Sequence, residues 1–367
     1  MTNSQTEHNP SRESMVLLSQ FLLRPRDSQW EALRQQLFNS SRDEFGTFLE
    51  MGRLNHVIVR ALDALVGAER ESNRDIALAR WAQEALEAEH ARINMAILFL
   101  HEVCGALESH GHRAVVIKSL DHWPDFGSDL DLYTESCPRD VCKLMTEHFY
   151  ATIAPRSWGD RLACKWNFML PGLPEPIEIH MGRLGQTGEQ EVIASALFDR
   201  SRMVRICGLA FRVASVTDRL MISTLQRMYR HFFFRLCDVV DSAQLMESGV
   251  VDYEQLRWQS LLAGIWEGVA TYLAIVSDYV KLYRGTELQL PRMVRAAAQF
   301  GGDKVYYKNS FLRVPVMPES AQLYGTQLAG VLKKGRLQNG ARLSLLPWLA
   351  TAAVLGQKLT GSDKGIW

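Results

Sequence analysis

The chain has 367 residues, with 41 Lys and Arg against 41 Asp and Glu, so its formal net charge is zero. Hydrophobic residues make up 47% and charged residues 22%, a globular composition that excludes a disordered or collagen-like chain. A zero balance gives no global attraction to nucleic acid or membrane, and the length predicts two or three domains at about 100–200 residues each.

The opening MTNSQTEHNP carries neither a basic start nor an apolar core, so no secretory signal is read and residues 1–13 are expected to be frayed. From Met15 to about Ser109 the pattern is helical, with no strand signal. Asn73 can cap a long helix in which Leu78, Trp81, Ala82, Ala85 and Leu86 recur at three- and four-residue steps, ending near Gly111. At Arg113 the pattern changes. Ala114-Val115-Val116-Ile117 and Leu130-Asp131-Leu132-Tyr133 read as strands, separated by a loop containing Pro124. Ser136, with Pro138 close behind, reads as the cap of an amphipathic helix. Residues 164–170 and 176–181 read as two more strands joined by the turn PGLPEP. Ser215 and Asp218 read as a capping box opening one continuous helix through residue 246, with further helices over 253–268 and 270–283.

The expected fold class is α+β: a small mixed β-sheet core flanked by N-terminal and C-terminal helical regions. The boundaries fall at 1–110, 111–214, 215–290 and 291–367. The last region carries 11 Lys and Arg against 3 Asp and Glu, so overall neutrality hides a basic tail and an acidic body. Its Lys333, Lys334, Arg336, Arg342 and Lys358 could rest on an anionic membrane or substrate; docking back on the body is favoured. The longest apolar run, residues 343–356, contains Pro347 and falls short of the ~20 residues a bilayer span needs. The six cysteines are scattered, so reduced thiols in a cytoplasmic protein are expected, and Cys137 and Cys142 lack the second pair that zinc would need.

The strongest chemical feature is Lys118-Ser119, nine residues, then Asp129-Leu130-Asp131-Leu132. Side chains alternate along a strand, so Asp129 and Asp131 share a face, and neighbouring carboxylates repel unless they share a cation. A third carboxylate, Glu178, stands between Ile177 and Ile179 on a later strand. If the two strands are neighbours, three hard oxygen ligands converge, a set that suits Mg²⁺ or Mn²⁺ and, through it, the phosphates of a nucleotide.

This arrangement resembles the polymerase-beta-type nucleotidyltransferase superfamily, and more narrowly its bacterial uncharacterised nucleotidyltransferase family. The resemblance rests on Lys118 ending a strand, Gly127 and Ser128 in the turn before Asp129 and Asp131, and Glu178 followed by His180. It covers about 180 residues, up to the stretch holding His231, Arg235 and Asp238. Ser119 stands where the family has Gly, and Glu178 where Asp is commoner. The resemblance implies transfer of a nucleoside monophosphate from a nucleoside triphosphate to a hydroxyl-type acceptor, which could be a small molecule, a peptide or a protein. It implies Asp129, Asp131 and Glu178 as ligands of Mg²⁺. Ser119 and its N–H would bind the β- and γ-phosphates, Lys118 would neutralise developing charge, and Lys165 is a second candidate for that task.

Each residue has a plainer reading as well. Lys118 could be an ordinary strand-end lysine, Glu178 a solvent-facing strand residue and His180 a packed histidine. Arg227, His231, Arg235 and Asp238 fall at steps of four, four and three, which on one helix makes a stripe facing the nucleotide or an internal Arg235–Asp238 ion pair. Phe232-Phe233-Phe234 reads as core before it reads as a base-stacking platform. A metal-dependent glycosyltransferase would also use Asp-x-Asp, but it would place an alternating strand–helix domain ahead of it. A catalytically inactive nucleotide-binding module is the other rival. Nucleic acid is disfavoured as a partner because no basic face interleaved with aromatics occurs in the catalytic segment. Oligomeric state is not readable from this pattern.

Overall fold

The computed structural model describes residues 10–72, 77–185, 189–348 and 352. Five helices come first: α1 (Pro10–Leu23), α2 (Ser28–Phe38), α3 (Arg42–Leu54), α4 (Ile58–Ser72) and α5 (Ala77–Ser109). Local chemistry sets their starts. Asp27 accepts from the Gln29 and Trp30 amides ahead of α2, and Ser41 and Glu44 cap α3 reciprocally. The long α5 spans 33 residues and stops before Gly111, whose φ of +79° suits glycine. Asn73, its expected cap, lies outside the described residues. Residues 10–13, expected to be frayed, form the first turn of α1.

The sheet region follows, with β1 (Val115–Val116), β2 (Leu130–Thr134), α6 (Pro138–His148), β3 (Thr152–Ile153), α7 (Trp158–Leu162), β4 (Lys165–Met169) and β5 (Ile177–Met181). Then come α8 (Glu189–Ala194), α9 (Leu197–Arg200), β6 (Arg202–Ile206) and β7 (Leu209–Val213). Seven strands form one mixed sheet in the order β3-β4-β5-β2-β1-β7-β6. At its centre β2 runs parallel to β5 and antiparallel to β1, and β4 pairs antiparallel with β5. Both β2 and β5 are buried at every position, as strands covered on two faces must be. The cap of α6 is Cys137 rather than Ser136, because Pro138 itself occupies the first helical position.

The chain continues with α10 (Val216–Tyr229), β8 (Phe233–Phe234), α11 (Leu236–Glu247), α12 (Tyr253–Ala263), α13 (Trp266–Arg284), α14 (Arg292–Ala297), β9 (Tyr306–Lys308), β10 (Phe311–Arg313), α15 (Ala321–Lys333) and α16 (Leu337–Ser344). The single helix expected over 216–246 is therefore two helices. Arg230 leaves the helical backbone, Phe232 turns through φ +53°, and Phe233 and Phe234 pair with Arg313 and Leu312. An aromatic run gains more from a pleated partner than from a helix face, and the β9–β10 hairpin supplies that partner.

One continuous apolar cluster runs from Met15 on α1 to Leu323 on α15, so the four regions drawn from the sequence share a core. Ser19 on α1 and Tyr279 on α13 join hydroxyls across it at 2.7 Å. In the tail, Lys334 donates to the terminal carbonyls of Leu261 and Leu262 on α12, at 2.6 and 3.1 Å, where the helix dipole favours a cation. Lys358 lies outside the described residues. Among the described residues no helix is long and apolar enough to cross a membrane.

Candidate active site

Strand register brings the carboxylates together. In the parallel β2–β5 pair, Asp131 lies directly opposite Glu178, and both side chains are buried. Asp129 stands one residue ahead of β2, half-buried at the same cavity, with Ser128 donating to its Oδ1 at 3.4 Å. His180, two residues along β5, reaches Glu178 Oε1 at 2.9 Å and lies 3.7 Å from Asp131 Oδ1. Ligand-type atoms of Asp131, Glu178 and His180 all fall within 4.8 Å of one another.

Two lysines answer this charge. Lys118 holds a left-handed backbone at φ +63°, uncommon for a side chain of its size. From there its ammonium pairs with Asp131 Oδ1 and lies 3.5 Å from Glu178. Lys165, across from His180 on β4, bridges Glu178 at 2.8 Å and Asp160 at 2.9 Å. Burial opposes both ammonium charges, but the facing carboxylates outweigh it and raise both pKa values. The carboxylates respond unequally. Burial raises Asp131 against the pull of Lys118, with the negative charges of Glu178 and Asp129 adding to the rise. Glu178 is held well below the usual carboxylate range, because Lys118, His180 and Lys165 together overcome its burial.

Ser119 borders the cavity and is engaged within the chain. Its hydroxyl accepts from the Asp131 amide at 2.6 Å and donates to the Asp129 carbonyl, and its own N–H donates to the Ile117 carbonyl. No helix begins after it; the chain passes through turns to Asp125. Ser119 thus fixes the backbone that carries both aspartates. Gly127 is explained by space, since a Cβ there would lie 3.3 Å from the His56 ring and 3.6 Å from Asp129 Oδ1. The loop is clamped from α5, where Arg92 pairs with Glu175 at 2.6 Å and reaches the Gly127 carbonyl.

The helical wall supplies the opposite face. Arg227, His231 and Arg235 do not form a stripe on one helix, because the helix ends at Tyr229. They nevertheless border the same cavity, from the end of α10, the following turn and the cap of α11. Arg227 is buried against Asp238 at 2.8 Å, while Asp238 also accepts the Arg235 amide, so the expected Arg235–Asp238 side-chain pair is instead Arg227–Asp238. Arg235 keeps a buried Nε without a hydrogen-bond partner, a cationic donor suited to an anion. His231 is neutral near pH 7, since burial and the charges of Arg227 and Arg230 push it down to about 3. Of the three phenylalanines, Phe234 is core, whereas Phe233 borders the cavity and stacks on Phe311 at 4.5 Å.

Together these groups enclose a cavity of about 320 Å³, within the usual range for small-ligand sites. All twelve residues singled out from the sequence border it: Lys118, Ser119, Gly127, Ser128, Asp129, Asp131, Lys165, Glu178, His180, Arg227, His231 and Arg235. Sequence reasoning missed four others of chemical interest, His56, His122, Asp160 and Arg230. Asp160 carried a signal, because Ser157-x-x-Asp160 is a capping-box pattern and caps α7 in that way. The two histidines sit in turns without a periodic pattern. No family model, curated protein or solved structure matches the chain.

Proposed function

We propose that the protein is a nucleotidyltransferase that moves a nucleoside monophosphate from a nucleoside triphosphate to a hydroxyl-type acceptor, with Mg²⁺ or Mn²⁺. The observation that carries this reading is the cross-strand pair Asp131–Glu178, with Asp129 beside it, facing cationic side chains across one cavity. The donor set suits a hard dication in part: Asp131 and Glu178, with His180, bring ligand atoms within 4.8 Å of one another and draw two ammonium groups into their field. Asp129 borders the same cavity outside that group, so that the carboxylates on offer are Asp129, Asp131 and Glu178. Those three residues would hold the ion, which when bound supplies charge neutralisation for the triphosphate and acidity for the acceptor hydroxyl.

The chain's own groups then divide the remaining work. Lys118 and Lys165 balance the carboxylates in the free protein and are within reach of the phosphates once those carboxylates take another cation. Arg235 offers its unpartnered buried Nε to a phosphate oxygen as a charge-assisted donor. Ser119 holds the Asp131 amide and so the strand on which both aspartates depend. His180 orients Glu178 through its Nε2 contact. Phe233 borders the cavity with its ring packed on Phe311 and against the guanidinium groups of Arg227 and Arg313, so it shapes the wall rather than offering a free stacking face.

A nucleotide-binding module without catalysis has one observation in its favour. The Lys118 ammonium sits between Asp131 and Glu178, where a metal-dependent enzyme would need a dication. A glycosyltransferase is disfavoured, since described residues 10–109 are helical and hold no strand–helix alternation. The test is pyrophosphate release from mixed nucleoside triphosphates with Mg²⁺ and candidate acceptors, with product mass read by mass spectrometry and sugar nucleotides run in parallel. Pyrophosphate release and an acceptor gaining a nucleoside monophosphate support the proposal. Nucleotide binding with no release would support the module, and turnover of sugar nucleotides alone would overturn both.

A further inference from the structure

Bordering the same cavity, with His56 beside Gly127 and Asp129, lies a second cluster that the proposed reaction does not use. His56, from the turn between α3 and α4, His122, from the loop after β1, and Cys237, near the start of α11, bring ligand-type atoms within 4.8 Å of one another. His122 Nε2 and Cys237 Sγ are 3.8 Å apart. A tetrahedral zinc-type ion spaces its nitrogen and sulfur ligands about 3.5 Å apart, so this pair is close to ligating distance. The other nitrogen of His122, Nδ1, is 2.5 Å from Asp241 Oδ2, the carboxylate–imidazole arrangement that orients metal-bound histidines. His56 Nδ1 is shut off from solvent with no hydrogen-bond partner.

The surroundings hold these three segments in place before any ligand arrives. Asn55 accepts the Leu236 amide through its Oδ1 and the Cys237 amide through its carbonyl, each at 3.1 Å, and so ties the His56 turn to α11. Asp125 accepts the Val59 amide and pairs with Arg60, which also pairs with Asp241 at 2.6 Å. Arg60 pairs with both buried carboxylates, and His122 faces Asp241 as a second partner. A dication bound together with a thiolate carries the same single positive charge as a protonated His122, so it can take that proton's place without unbalancing the cluster. The alternative use of Asp241, His122 and Cys237, as a nucleophilic triad, requires a substrate to reach a thiol that is wholly buried. A metal ion is small enough to enter where an acyl substrate is not.

We propose that His56, His122 and Cys237 form a site for a thiophilic divalent cation of the zinc type, with Asp241 orienting His122 and a fourth position open to the cavity. Both histidines border that cavity, which gives a water or a ligand group access to the fourth position. Hard Mg²⁺ has no preference for a thiolate, so the two cation sites are separable by metal chemistry. The proposal is independent of the nucleotidyltransferase reading.

Cobalt titration of the metal-stripped full chain tests it. One equivalent of Co²⁺ should give a thiolate-to-cobalt charge-transfer band with tetrahedral-intensity visible bands, and Zn²⁺ should bleach both. Cys237→Ser should abolish the charge-transfer band, and Asp131→Asn should leave it intact. Asp241→Asn should weaken Co²⁺ binding about 10–100-fold. If Cys237→Ser does not fold, His56→Ala, at the cavity edge, should weaken binding while circular dichroism stays that of the wild type. Absence of the band in the wild-type protein, its survival in folded Cys237→Ser, or unchanged affinity in folded His56→Ala would overturn the proposal.

Discussion

Asp131, Glu178 and His180 rise from two paired strands, whereas His56, His122 and Cys237 come from a turn, a loop and a helix start, the last two 115 positions apart in the chain. In the first cluster a repeating backbone ladder sets the spacing, and oxygen ligands stand close to two lysines. In the second, side-chain bonds from Asn55, Arg60 and Asp125 set the spacing, and the donors are nitrogen and sulfur. A ladder tolerates the loss of one side chain because its neighbours keep the strand in register. A turn-built cluster depends on each tie separately. A shape-keeping substitution that leaves the lysines paired should therefore separate activity from stability in the strand cluster, whereas in the turn cluster metal affinity should be coupled to folding.

The largest effect expected is on turnover. Asp131→Asn keeps the shape of the side chain and removes the charge that a dication needs. Pyrophosphate release should fall by more than the roughly 10–100-fold that loss of an outer-shell partner costs. Circular dichroism should remain that of the wild type, because Lys118 keeps Glu178 and the strand stays paired. Wild-type turnover in a folded Asp131→Asn protein would sink the metal-site assignment.

Glu178→Ala is the next step down and acts on stability. Glu178 faces both Lys118 and Lys165, so its removal leaves two cations short of a partner in a mostly buried place. Removing one member of a buried pair costs about 3–5 kcal/mol. The lower end of that range is expected here, since Lys118 retains Asp131 and Lys165 retains Asp160. Urea denaturation measures the difference, and a loss well under 1 kcal/mol would mean that Glu178 is no more than a surface strand carboxylate.

Ser119→Ala sharpens the contrast at a smaller scale. The buried Asp131 amide loses its acceptor, and an unsatisfied buried amide costs about 1–3 kcal/mol. If Ser119 instead bound phosphate directly, the substitution would raise the Michaelis constant for nucleotide and leave the urea midpoint unchanged.

The two clusters also differ in how far they could be read from the sequence. Period-two alternation in buried strands made LDL and IEI visible, and with them Asp131 and Glu178, before any neighbour was known. The α5 helix was equally plain, because its apolar residues recur over many turns. The break after Tyr229 was not, since Phe232–Phe234 continue the helical phase of Leu225 and Met228, and only the distant hairpin at 306–313 offers them a strand partner. The same break is why Arg227, His231 and Arg235 converge without lying on one helix. His56, His122 and Cys237 had no spacing to betray them. A cysteine at the start of one helix and a histidine in a loop gain meaning only when tertiary bonds from Asn55 and Arg60 bring them together.

The smallest effect expected is in pH dependence, and it separates the two carboxylates of the strand pair. Burial and the charges of Glu178 and Asp129 lift Asp131 to about 7, while Glu178 stays ionised far below that. A dication must displace the Asp131 proton, so Mg²⁺ affinity should rise with pH up to about 7 and level off above it, changing about tenfold per unit on the acid side. The stability sign is opposite. Between the unfolded value near 3.8 and about 7 the folded chain holds a proton that the unfolded chain has released, so the Asp131 contribution to stability falls as pH rises. The depressed Glu178 works the other way: its contribution is present above its unfolded pKa and is lost as pH falls through the lower folded value. Urea denaturation at pH 5 and pH 8, without metal, isolates Asp131 when wild type is compared with Asp131→Asn. The Asn variant does not titrate at this position, so its stability relative to wild type should increase between the two pH values, and saturating Mg²⁺ should shrink that gain. A difference independent of pH would place the Asp131 pKa in the ordinary carboxylate range and remove the proton–metal competition from the strand-built cluster.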